Sequence, residues 1–179
     1  MMRKPSDILV VVIMSVICLM AAAAKSMERF EAPEGFSFLM EGTPETPPTS
    51  LGSIKTYQHS SKDSSFIYWI MISDVMCSSD SPPSVVTGAI DGACTGMVIG
   101  TKANEIQRKS ITLDSKFPGR EVETSFTQGS ATGYYRARIY LVKHRMFQLF
   151  VGSTEERTLH NTEANQFLES LRVSPEKWK

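Results

Sequence analysis

The chain is poor in the residues that build self-sufficient chemical sites. It has three cysteines and three histidines in 179 residues. Three cysteines are too few for a disulfide scaffold or a Cys-rich zinc site. His59, His144 and His160 stand far apart, and none falls in a ligand spacing such as H-E-x-x-H. There is no surplus of either charge: Lys+Arg and Asp+Glu are 19 each, so no global field argues for nucleic acid or an acidic partner. No repeat recurs at a fixed period. With 41% apolar and 21% charged residues the chain is neither disordered nor collagen-like, and its length suits one ordinary domain.

One long hydrophobic run is present, at the N-terminus. Arg3 and Lys4 precede an uncharged stretch from Ile8 to Ala24, and Ala22, Ala23 and Ala24 supply small side chains before Lys25. This order fits a secretory signal peptide cleaved after Ala24. An uncleaved anchor is the alternative: at about 1.5 Å per residue the run spans roughly 26 Å as a helix, slightly short of a hydrocarbon core. Small residues are missing just before Cys18, so it makes a poor lipobox. Either way residues 25–179 are expected outside the cytoplasm, periplasmic, secreted or tethered by the N-terminal segment, as a single domain.

Beyond this segment the period of the apolar residues changes along the chain. Residues 27–35 read as a lead-in, Phe36–Met40 and Ile54–Ser60 as strands, and Gly42–Ser50, with Pro44, Pro47 and Pro48, as a connector. Phe66–Ile72 is apolar without alternation, which predicts a central strand covered on both faces. Val86, Ile90, Ala93 and Met97 predict a helix over 84–99; Gly88, Gly92 and Gly96 weaken it, or permit close approach to a sheet. Strands over 105–114, 120–127, 134–142 and 146–152 follow as a meander, with turns at Pro118-Gly119, Gly129–Gly133 and Lys143–Arg145. Asn161 or Thr162 caps a closing helix with Ala164, Phe167, Leu168 and Leu171 on its apolar face. The expected class is α+β: a mostly antiparallel sheet of six to seven strands with helices on both faces.

The segments Pro33-Glu34-Gly35-Phe36-Ser37-Phe38, Phe117-Pro118-Gly119-Arg120-Glu121, Arg136–Val142, Phe147-Gln148-Leu149 and Phe167–Leu171, with Ile90-Asp91-Gly92-Ala93 in the internal helix, carry a resemblance. Over residues 30–173 the chain resembles small exported bacterial proteins of uncharacterised families with a PsbP/DcrB-like fold. The resemblance implies an α/β/α sandwich and extracytoplasmic placement, and no established catalysis. Where such sequences have Gly-Asn in the last hairpin, this one has Lys143-His144.

Candidate chemistry is sparse. Gly129–Gly133 has its Ser in the wrong position and the wrong context for a nucleophile elbow, and Gly96–Lys102 lacks the spacing of a phosphate loop. Asp74, Asp80, Asp91 and Asp114 offer carboxylates that nothing in the sequence brings together. No catalytic residue, cofactor or metal ligand is assigned. Arg120, Glu121, Glu123, Arg136 and Arg138 form a candidate polar-face network in adjacent strands, read as structural cross-strand pairing in preference to an anion-binding groove. With Cys18 removed, Cys77 and Cys94 either form a disulfide or stay as separate thiols; an oxidising compartment favours the bridge, and their strand-end and mid-helix positions oppose it. The leading expectation is an exported non-enzymatic domain that binds a protein or envelope component. The rivals are a small-ligand or lipid-binding envelope module and a hydrolase with a site scattered in sequence.

Overall fold

The computed structural model describes residues 27–46, 54–60 and 66–178. The expected export segment lies outside them. Among the described residues no helix is long and apolar enough to cross a membrane.

Among the described residues nine strands and two α-helices form an α+β structure with two antiparallel sheets. The order is β1 (Met27–Ala32), β2 (Phe36–Glu41), β3 (Lys55–Ser60), β4 (Ile67–Asp74), α1 (Pro83–Gly100), β5 (Asn104–Leu113), β6 (Phe117–Gln128), β7 (Ala131–Val142), β8 (Arg145–Ser153), α2 (Thr162–Glu169) and β9 (Arg172–Val173). The six-stranded sheet runs β3-β4-β8-β7-β6-β5; the three-stranded sheet runs β1-β2-β9. The helix–meander–helix plan read from the sequence is therefore present. Two strands extend it: the lead-in is β1, paired along its length with β2, and the short β9 returns to the other edge of β2.

Two faces of the large sheet have different covers. One face carries Tyr68, Ile70, Ile72, Phe147, Leu149 and Val151 and packs against β2 and α2 through Phe36, Phe38, Met40, Phe167 and Leu168. This is the main core. The opposite face meets α1, which lies across β6 and β7 and buries Val86, Ile90 and Cys94 against Val122, Ile139, Leu141 and Met146. Pro83 opens α1 at a position where the missing N–H has no intrahelical acceptor to lose. Asn161 caps α2, its side chain accepting from the Ala164 N–H at 2.8 Å.

The Pro118-Gly119 pair is not a turn. The β5–β6 reversal falls at Asp114 and Ser115, which take φ of +52° and +54°, and Pro118 and Gly119 belong to β6. Pairing with β7 begins only at Gly119, so the missing Pro118 N–H removes no bond on that side. Gly119 is needed for approach: a Cβ there would lie 2.5 Å from the Ile139 carbonyl oxygen and 2.5 Å from the Tyr140 ring. The last hairpin closes through Lys143 at φ +50°, steadied by hydrogen bonds that tie residues 75 and 79 to the turn carbonyls.

Candidate functional site

Strand β4 departs from its expectation, and the departure marks the site. Its alternate residues Tyr68, Ile70 and Ile72 are buried in the main core. The others, expected beneath a second layer, are not covered: Ile67 is 51% exposed, Trp69 41%, and Met71 is half-buried. The reason is where α1 sits. On one flank Asp91 binds Arg120 at 2.9 Å and Arg108 at 3.6 Å, which ties the helix toward β5 and β6. On the other flank Ala93, Gly96 and Gly100 present almost no side chain. The described residues leave the β4–β8 half of that face open, and an apolar groove of about 360 Å³ runs between it and the C-terminal half of α1.

Register defines the groove floor. Across the sheet, Met71, Gln148, Ile139 and Arg120 stand in one cross-strand row, and Trp69, Phe150, Ala137 and Val122 in the next. Ile67, Gly152, Tyr135 and Thr124 form a third. Trp69 and Phe150 pack with ring centroids 5.9 Å apart. Gly152 makes room for the Tyr135 ring, which would lie 3.0 Å from a Cβ at that position, and Tyr135 stacks on Phe126 at 4.7 Å. Burial raises the Tyr135 phenol above its ordinary pKa. Among the described residues no charged side chain lines the groove. Its floor holds one buried polar side chain, Gln148, at 9% exposure, and among the described residues that amide has no hydrogen-bond partner. Gly88, Gly92 and Gly96 do not serve close packing on the sheet, because a Cβ at any of them would meet nothing within 4 Å.

The polar network lies on the opposite face. Glu121, 1% exposed, stands between Lys109 and Arg138 in cross-strand register and pairs with Lys109 at 2.7 Å, Arg136 at 3.1 Å and Arg138. Arg136 also lies 3.6 Å from Glu123 and donates to the Leu159 carbonyl at 3.1 Å and the Asn165 amide oxygen at 2.7 Å. Arg138 reaches Glu169 at 3.3 Å, and His160 lies 3.4 Å from Glu123. Burial pushes the Glu121 carboxyl up, but hydrogen bonds from Lys109 and Arg138 and the charges of Arg138 and Arg136 outweigh it and hold its pKa below the ordinary value. The set links the sheet to α2 and the turn before it. Arg120 is not a member: one residue from Glu121, it faces the other way, onto Asp91 of α1.

Cys77 and Cys94 are separate thiols, not a bridge, within the small core under α1. Cys94 is buried between helix and sheet, and that burial pushes its thiol up to about 11. His59 is the penultimate residue of β3, His144 sits in the β7–β8 turn and His160 precedes α2. Among the described residues no group of three His, Cys, Asp or Glu side chains gathers to hold a metal. The groove residues Trp69, Tyr135, Gln148 and Phe150 went unassigned from sequence. Two signals pointed to them: a two-sided apolar strand with too few helices to cover it, and a lone glutamine inside the apolar run Met146–Val151.

No family model and no curated protein sequence matches the chain. Solved structures of similar fold do. A Bacteroides thetaiotaomicron protein aligns over 84% of this chain at 12% identity and a TM-score of 0.52; the chain spans about half, 49%, of that protein's length. LpqN of Mycobacterium tuberculosis, described as involved in cell envelope biogenesis, aligns over 89% of this chain and 97% of its own at 12% identity and a TM-score of 0.52. At such identities the likeness is one of fold.

Proposed function

We propose that the chain is a non-enzymatic, extracytoplasmic binding module of the PsbP/DcrB-like kind, and that the α1–sheet groove takes a small apolar ligand of the cell envelope. One observation carries this reading. Half of one sheet face, with Trp69 exposed and Met71 and Phe150 half-buried, is left without a covering layer by the described residues, which bury the corresponding side chains elsewhere. A concave, mostly apolar site with few polar groups is the usual form of a small-molecule pocket, and about 360 Å³ falls at the low end of the ~300–1,000 Å³ such sites have. The N-terminal segment and the fold shared with LpqN support placement at the envelope. A catalytic reading has less support: the buried carboxylates Glu121 and Glu123 are engaged by Arg136, Arg138 and Lys109.

Titration with the neutral fluorophore N-phenyl-naphthylamine tests the reading. The expected result is saturable emission enhancement that Gly96→Leu abolishes, since Gly96 lines the groove and a Cβ there meets nothing within 4 Å. Enhancement unchanged in Gly96→Leu, or none in the wild type, would overturn it.

A further inference from the structure

Resting on the groove as the binding site, we infer that Gln148 is its polar anchor and selects a neutral amphiphile: an apolar chain bearing an ester, amide or hydroxyl group. A primary amide offers two donors and two acceptor lone pairs. At Gln148 none of the described residues satisfies them, although the residue is nine-tenths buried and stands on the floor of the groove. Leaving such a group unpaired is costly. Because the groove opens to solvent, water is the partner available to it there. A hydrocarbon that entered would expel that water and strand the amide. An ester, amide or alcohol would replace it, hydrogen bond for hydrogen bond.

The surroundings narrow the ligand further. Among the described residues the groove has no charged lining side chain, so none offers a cation to a carboxylate or phosphate beside Gln148, and burial there disfavours an ionised head. Trp69, Met71 and Phe150 supply the wall for the chain, Trp69 and Phe150 beside Gln148 in the next cross-strand row and Met71 in its own. The space equals roughly twelve water-sized volumes, which suits one medium-length chain better than a folded partner's surface.

The experiment uses the purified full chain with Trp178→Phe, which leaves Trp69 as the one tryptophan and a reporter inside the groove. Octanol, N-octylacetamide, octane and octanoate at pH 8 are titrated against this protein and against it carrying Gln148→Leu. The expected result is that Gln148→Leu weakens octanol and N-octylacetamide by roughly three- to tenfold while octane binding holds or tightens. Gln148→Met, close in length, should give the same split, which separates loss of the amide from a packing defect. A uniform change across all four ligands, or octanoate binding as tightly as octanol, would overturn the anchor. The groove reading fails by a different result: no ligand perturbs Trp69, or Gly96→Leu leaves every titration unchanged.

Discussion

Removal of the Glu121 carboxylate should unsettle the sheet more than any other single charge change. Glu121 is 1% exposed and answers three cations, Lys109, Arg136 and Arg138. In Glu121→Ala the two guanidinium groups stay behind, largely buried. Breaking one partner out of a buried ion set costs about 3–5 kcal/mol, because the remaining charge is left uncompensated. Here the lower half of that range applies: Arg138 keeps Glu169 at 3.3 Å, and Arg136 keeps Glu123 at 3.6 Å together with the Leu159 carbonyl and Asn165. At about 2–4 °C per kcal/mol for a chain of this size, the melting temperature should fall by roughly 6–16 °C. Replacing the set together, Glu121→Leu with Arg136→Met and Arg138→Leu, should recover most of the loss, since apolar side chains need no partner. Calorimetry with urea unfolding reads both variants. A loss below about 1 kcal/mol in Glu121→Ala would refute the argument that buried charge compensation stabilises this face.

The same pairing fixes a pH dependence. The folded Glu121 pKa is depressed, so its stabilisation is present above the unfolded carboxylate value of about 4.3 and is lost as pH falls through the folded value. Glu34, held low by Lys55 and Tyr57 against its own burial, adds in the same sense, and urea unfolding in Glu121→Gln should show a shallower decline with acid than the wild type. Gly88→Ala and Gly92→Ala, whose new methyls meet nothing within 4 Å, should each stabilise α1 by about 0.4–1 kcal/mol in thermal melts. Gly119→Ala should destabilise by at least about 1–3 kcal/mol in the same assay, because its Cβ would meet the Ile139 carbonyl at 2.5 Å. Native alkylation at pH 8 with peptide mapping should label Cys77 well before Cys94, whose thiol is both buried and shifted up to about 11; equal labelling would contradict the packing of α1.

Much of the architecture was local and therefore legible. The helical period of Val86 and Ile90, the Asn161 cap and the period-two faces of Arg136–Arg138 and Ala137–Ile139 depend on neighbours a few positions away. Strand alternation also determined that Glu121 and Glu123 would face Arg136 and Arg138. The same rule excludes Arg120, one residue out of phase and turned onto Asp91. The Pro118-Gly119 error has another source: a glycine looks alike whether it turns the chain or admits a neighbouring ring, and only the Tyr140 contact distinguishes the two. The groove was the least legible feature. The sequence by itself determined that β4 is apolar on both faces and that its residues would seek cover. Tertiary structure decided that one face receives it and the other does not, because Asp91, Arg108 and Arg120 tether α1 toward the far strands while Ala93, Gly96 and Gly100 leave the near flank empty. That outcome depends on pairings 17 and 29 residues apart, which no local pattern encodes.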